Sequence, residues 1–200
     1  TIQRDQEGLV SIHSPEKFAE VFYTTDGSAP SRNSEKYSAP FLSDGEVTVK
    51  AIVYSGENHG EVGEQTFGLS KKQWTILNEN SGKLSLFDGK PNTSWISKKG
   101  EKEVRVDFGE EISFAGLTYL PDQARWSQGI ALNYKIYSSN DGKTWNEVTA
   151  GNFSNIRNNP ITQSIRFGKP IKTRFLKFAT TTVADEQQVL GVAELDIITD

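Results

Sequence analysis

Apolar and polar positions alternate with a period of two along most of this chain. Val47, Val49, Ala51 and Val53 interleave with Thr48, Lys50 and Ile52, and Val104, Val106 and Phe108 interleave with Arg105 and Asp107. Successive side chains of a strand point to opposite faces, so this period predicts half-buried strands. Further strands are predicted at residues 9–12, 21–25, 112–120, 132–138, 161–167, 171–178 and 192–198. No stretch carries a helical stripe of useful length. Asp-Gly pairs at 26–27, 44–45, 88–89 and 141–142 punctuate the strands. Glycine reaches positive φ without a steric penalty, which suits such pairs to tight hairpins. Short strands parted by such turns predict an all-β chain of β-sandwiches.

The same pattern divides the chain. Its 200 residues can hold one large domain or two small ones. The boundary is placed at Leu69-Ser70-Lys71-Lys72, giving domains of residues 1–68 and 69–200. The first contains few aromatic residues, whereas all four tryptophans follow the boundary, beginning with Trp74. The first domain is near the small end of what folds alone and is expected to pack on a neighbour.

Composition then removes several function classes. With a net charge of −4 and no cluster of Lys and Arg, nucleic acid is not an expected partner. No apolar run approaches the roughly 20 residues of a membrane helix. The absence of cysteine excludes disulfides, thiol nucleophiles and thiolate metal sites. The chain starts at Thr1 without a signal-peptide pattern, and is expected to be a processed protein or an excised fragment. A catalytic centre is not expected either. There is no Gly-x-Ser-x-Gly elbow, phosphate loop or His-Glu-x-x-His. His13 and His59 read as surface residues. Glu110-Glu111, Asp185-Glu186 and the Glu194/Asp196 pair read as turns, solvated faces or an ion site rather than the paired carboxylates of a glycosidase cleft.

The most informative segment is LSLFDGKPNTSW at residues 84–95, which sets an aspartate, a Gly turn and Thr-Ser-Trp close together. Oxygen-bearing side chains on a short irregular loop between strands suit a hard cation such as calcium, which takes six to eight oxygen ligands, many of them backbone carbonyls.

Both parts of the chain resemble known families. YTTDGSAPSRNSEKYSAPF at residues 23–41, followed by VTVKAIVYSG at 47–56, resembles the immunoglobulin-like domain near the C-terminus of chitobiases and other bacterial glycosidases. That likeness implies a spacer or docking domain without chemistry of its own. In the second part, FDGKPNTSW, VRVDFGEEISFAGLTYLPDQ, YKIYSSNDGKTWNEV, TRFLKFAT and VAELDII occur in the order found in the discoidin-like (coagulation-factor C-type, galactose-binding-like) jelly-roll sandwich, which includes family-32 carbohydrate-binding modules. GNFSNIRNNPITQSIRF at 151–167, with YLPDQ before it, is similar to the C-terminal region of bacterial family-29 α-L-fucosidases. Together these imply a non-catalytic accessory region of a secreted or periplasmic glycoside hydrolase, with an upstream catalytic barrel as partner. An autonomous carbohydrate-binding module and a protein-adhesion discoidin domain are the alternatives.

The discoidin resemblance also implies site residues. A structural calcium ion would take side-chain oxygens from Asp88 and Glu194. It would also take the carbonyl and hydroxyl of Thr93 and the carbonyls of Ser85, Lys90 and Ala193. Position 90 departs from the family in being lysine, whose ammonium opposes a nearby cation. For glycan, the relatives place His after Thr-x-Trp and Arg after Tyr-Leu-Pro, where this chain has Ile96 and Asp122. The remaining candidates are Glu79, Gln123, Arg125, Trp126 and Gln128, with Trp126 as a stacking platform for the apolar face of a sugar. An exposed tryptophan would serve docking against another domain equally well. Trp74, Trp95 and Trp145 are read as core or edge packing, and the loop at 183–188 as polar without an aromatic.

Overall fold

The computed structural model describes residues 1–5, 7–78 and 85–199. Its chain forms two compact units, Thr1–Lys72 and Gln73–Asp200. Among the described residues the regular structure is β-strand, apart from one 3-10 turn at Ala184–Glu186.

The first unit contains β1 (Ile2–Arg4), β2 (Leu9–Ile12), β3 (Glu20–Thr24), β4 (Glu35–Lys36), β5 (Phe41–Leu42), β6 (Val47–Ser55), β7 (Asn58–His59) and β8 (Gly63–Phe67). One sheet has the order β1-β2-β5; the other runs β4-β3-β6-β7, with β8 also paired to β6. Val10, Ile12, Val21, Tyr23, Val49 and Ala51 form its core. Tyr23 stacks on Phe41 at 4.6 Å and meets Tyr37 edge-on at 6.2 Å. Burial, helped by the Glu35 carboxylate, pushes the Tyr23 phenol up to about 12. The other face of β3 and β6 is covered as well. Phe22 and Ile52 are buried there, Tyr54 meets Phe22 edge-on at 5.7 Å, and the Arg32 guanidinium lies 4.2 Å over Tyr54. This second covering explains why Ile52, at a position expected to be polar, is apolar.

The second unit contains β9 (Thr75–Ile76), β10 (Trp95–Ile96), β11 (Glu103–Pro121), β12 (Asn133–Ser139), β13 (Asn146–Asn152), β14 (Gln163–Ala179) and β15 (Gly191–Ile198). The order is β10-β15-β11-β14-β12-β13, with β9 on β11. Two pairs of predicted strands are each one long strand. β11 pairs with β14 throughout, across register breaks at Asp107/Ile112 and Phe114/Gly116. Beyond the breaks β11 also pairs with β15, whereas the C-terminal part of β14 pairs with β12. The two strands thus pass from one layer of the sandwich into the other. Rings from the two layers meet in the core, Phe108 against Phe114 at 5.6 Å and Tyr119 against Phe178 at 4.9 Å. Trp74 and Trp95 are buried in this core. Trp145 is half-buried beneath the Lys177 ammonium, 5.0 Å from its ring.

Of the Asp-Gly pairs, Asp141-Gly142 closes the β12–β13 hairpin. Asp141 accepts from the Lys143 and Thr144 amides at 2.8 and 2.7 Å, and these bonds hold its carboxyl far below the ordinary range. Gly27 and Gly89 also have positive φ, but they sit in longer connections, and Gly45 does not have it. A predicted hairpin at 44–45 is therefore replaced by an ordinary bend between β5 and β6.

Candidate functional site

Two neighbouring loop systems of the second unit hold most of the predicted site residues. The first runs from Ser85 to Ser94. Asp88 Oδ1 accepts the Lys90 amide at 2.8 Å, which closes an Asx turn over Gly89. The Thr93 hydroxyl lies 3.0 and 2.8 Å from the two Asp88 oxygens and 2.9 Å from the Lys90 carbonyl. A carboxylate, a hydroxyl and a carbonyl, all hard donors, thus converge within six residues. The Leu195 amide donates to the Leu86 carbonyl at 3.1 Å, which ties this loop to β15 at the residue after Glu194. Ala193 is buried, Asp88, Thr93, Glu194 and Ser85 are half-buried, and Lys90 is exposed. Among the described residues no group of three or more His, Cys, Asp or Glu side chains is placed to hold a metal ion. A cation here would depend on backbone carbonyls, as calcium sites commonly do.

The second system is a cleft of about 730 Å³ lined by residues 125–128 on one side and 185–189 on the other, with Lys99 at its edge. Trp126 is 81% exposed, with the Arg125 guanidinium 5.6 Å from its ring. Its loop is organised by Asp122, which is 5% exposed. Oδ1 of Asp122 accepts the Ser94 hydroxyl at 2.7 Å and the Ala124 amide at 3.2 Å, and Oδ2 accepts the Gln128 amide at 2.8 Å. The residue that stands where relatives carry arginine is therefore a loop organiser beneath the surface.

The opposite wall follows the 3-10 turn. Asp185 and Glu186 both lie in the left-handed region, at φ 59° and 54°. For residues other than glycine this conformation costs about 1–3 kcal/mol each. The turn is held by an ion pair between Asp185 and Arg157, by the Gln187 side chain accepting the Gly129 amide, and by the Ala184 amide donating to the Ile130 carbonyl at 2.8 Å. Lys99 is fixed through its neighbours: the Gly100 amide donates to the Gln188 carbonyl at 2.7 Å, and Ser97 exchanges hydrogen bonds with Leu190.

The two walls meet where only glycine fits. A Cβ on Gly191 would stand 1.9 Å from the Gln128 carbonyl oxygen, and one on Gly129 would stand 2.5 Å from the Gly191 nitrogen. Beneath this contact the buried Tyr119 hydroxyl donates to the Gly191 carbonyl and accepts the Ala131 amide, both at 3.1 Å.

Of the predicted glycan residues, Arg125, Trp126 and Gln128 line the cleft together. Gln123 does not: its side-chain amide donates to the carbonyls of Pro121 and Pro160, both at 2.8 Å, and braces the loop from behind. Glu79 lies outside the described residues. Lys99 and the wall at 185–189 were not among the expected site residues. Their only signal in the sequence is a polar loop without an aromatic, which becomes a site only when the Gly129–Gly191 contact folds it toward Trp126.

No curated protein matches the chain. Several solved structures share the fold of 62–66% of the chain. One is CBM32-3 from a family 31 glycoside hydrolase of Clostridium perfringens, at 23% identity and a TM-score of 0.53, covering 66% of this chain and 94% of that one. Another is the family 32 CBM of C. perfringens NanJ, solved in complex with galactose, at 20% identity and 0.51, covering 62% and 90%. A third is the C-terminal domain of a chitobiase from Bacteroides fragilis, at 22% identity and 0.51, covering 64% and 95%. The family model described as "Fn3 associated" matches residues 10–67. The model of the F5/8 type C domain matches residues 69–195, across the oxygen-lined loop, both walls of the cleft and most of β15, and to that family the chain belongs.

Proposed function

We propose that this chain is a non-catalytic accessory region of a glycoside hydrolase, whose second unit binds glycan in the Trp126 cleft. The observation that carries this reading is the Trp126 ring, left 81% exposed on a loop otherwise pinned at both ends. An indole face accepts the apolar C–H face of a sugar ring, and the amide and charged groups around it suit hydroxyls. The glycan and glycoside-hydrolase contexts of the fold's solved relatives support the same direction.

The finer reading is of a bacterial, secreted or periplasmic enzyme of the α-L-fucosidase type. Residues 1–68 act as a chitobiase-type immunoglobulin-like spacer, residues 69–200 form the discoidin-like module, and the pair docks an upstream catalytic barrel. The sequence likenesses at 23–56 and 151–167 support it. Calcium is the structural ion of this reading. Asp88 and Glu194 would hold it through carboxylates, Thr93 through its oxygens, and Ser85, Lys90 and Ala193 through carbonyls. Its chemistry would be to cross-link the 85–93 loop to β15.

A glycan array with the wild-type chain and Trp126→Ala tests the binding reading. Wild-type binding that disappears in the variant is expected, with stability within about 0.5 kcal/mol of wild type, as for an exposed side chain. An array on which the wild-type chain binds nothing would overturn it. Cleavage of an aryl fucoside by this chain alone would overturn the accessory role.

A further inference from the structure

We infer that Asp122 is a positioning residue for Trp126, and that through Ser94 it makes the setting of the aromatic platform depend on the state of the oxygen-lined loop. The inference rests on the reading of Ser85–Ser94 as an ion loop and of Trp126 as the glycan platform, and it adds a link between them.

The geometry is specific. Trp126 sits in the middle of a turn whose first and last amides, those of Ala124 and Gln128, are accepted by one carboxylate. A carboxylate has room for about four donors. The third donor to Asp122 comes from outside the turn and is the Ser94 hydroxyl, at 2.7 Å. This bond also runs to a charged acceptor, which makes it short and strong. Asp122 is buried, so a bond lost to Ser94 is not freely replaced by water.

Ser94 has little freedom of its own. On its C-terminal side Trp95 is buried and paired with Val192. On its N-terminal side the Thr93 hydroxyl lies on both Asp88 oxygens and the Lys90 carbonyl, and the Thr93 amide donates to that same carbonyl at 3.1 Å. A cation drawing on Asp88, Lys90 and Thr93 must re-form these bonds. The next residue along the chain then shifts its hydroxyl against Asp122, and the ends of the Trp126 turn respond. Losing or gaining one charge-assisted bond changes an equilibrium by roughly tenfold or more. Linkage makes the effect reciprocal, so a glycan that selects one setting of the turn changes cation affinity by the same factor.

The test combines calcium titration calorimetry with acrylamide quenching of tryptophan fluorescence on the 200-residue chain. Trp74 and Trp95 are buried and Trp145 is half-buried, so quenching is dominated by Trp126, with Trp126→Ala as the control for that assignment. Calcium is expected to change quenching in the wild type. In Ser94→Ala calcium still gives a binding isotherm but leaves quenching unchanged, and Asp122→Asn behaves alike. Should Asp122→Asn fail to fold, Ser94→Ala decides alone, because it leaves the carboxylate with both of its amide donors. Calcium binding that leaves wild-type quenching unchanged, or a quenching response that survives in Ser94→Ala, overturns the coupling while the ion reading stands. No calcium heat in the wild type overturns both. A coupled response with no glycan bound on the array supports the coupling and removes the platform reading alone.

Discussion

The two units solve the same problem with very different resources. Among the described residues, six buried side chains form the first core and twenty-one form the second. The first unit adds a polar clamp. Arg4 on β1 donates to the carbonyls of Ser43, Gly45 and Gly68 at 3.3, 3.1 and 2.6 Å, and its guanidinium lies 5.1 Å over the Phe67 ring. One side chain thus gathers the first strand, the bend before β6 and the end of β8. The second unit uses its polar groups differently. Its dry core carries stability, and buried polar groups such as Asp122 and the Tyr119 hydroxyl hold loops instead. A small β-unit spends a cation on closure; a larger one can place carboxylates where they shape a surface.

This contrast can be broken most forcefully at Phe178, which is fully buried and packs against Tyr119. Phe178→Ala is expected to cost the second unit about 3–5 kcal/mol. Denaturant unfolding followed by tryptophan fluorescence reports this unit alone, since Trp74, Trp95, Trp126 and Trp145 all lie in it. In the first unit, Arg4→Ala removes a multiply bonded, half-buried cation and is expected to cost about 1–3 kcal/mol. Arg4→Lys should recover only part of that, because an ammonium cannot reproduce the planar fork. Amide exchange of β1 and β8 would register the loss, and wild-type protection in Arg4→Ala would show the clamp to be decorative.

The smallest expected effect is a pH dependence. Arg174 donates to both Asp107 oxygens at 2.9 and 3.0 Å, and with the Gly109 amide holds the Asp107 carboxyl below its ordinary range. A depressed carboxyl stabilises the fold above its unfolded value of about 3.9. That stability is lost as pH falls through the lower folded value. The second unit should therefore keep this contribution from neutrality down to about pH 4 and lose it below. Arg174→Gln should flatten that part of the acid profile in a thermal melt series; an unchanged slope would mean the pair is not coupled to folding.

Much of the fold could be read from the chain because one face of most strands is dry. Val49, Ala51, Val104, Val106 and Phe108 fall at the predicted inward positions, and Val10, Leu176 and Phe178 are buried within predicted strands. β8 (GEQTF) and β13 (NEVTAGN) escaped notice because they are polar edge strands, ordered by backbone pairing rather than by a buried face. The sequence divides β11 and β14 because an exposed stretch, Glu110-Glu111 in one and residues 168–170 in the other, interrupts each apolar alternation. At the site, the Asp88–Thr93 loop was legible because its donors are close in sequence. The far wall of the cleft was not, because Asp185 and Gln188 face Trp126 only through the approach of Gly129 to Gly191. From the sequence Asp122 reads only as an absent arginine, because sequence does not show the serine hydroxyl that the aspartate holds.

The passage of β11 and β14 through both layers has a further consequence. A sandwich whose sheets are joined only by loops can open like a book, one sheet leaving the other. Here the hinge would have to tear the central ladder itself, since the same two strands are pages of both sheets. Closing that ladder also waits for distant partners, Leu117 with Ile197 and Trp95 with Val192. Slow, all-or-none assembly of the second unit is expected, with little native structure there until β15 has paired.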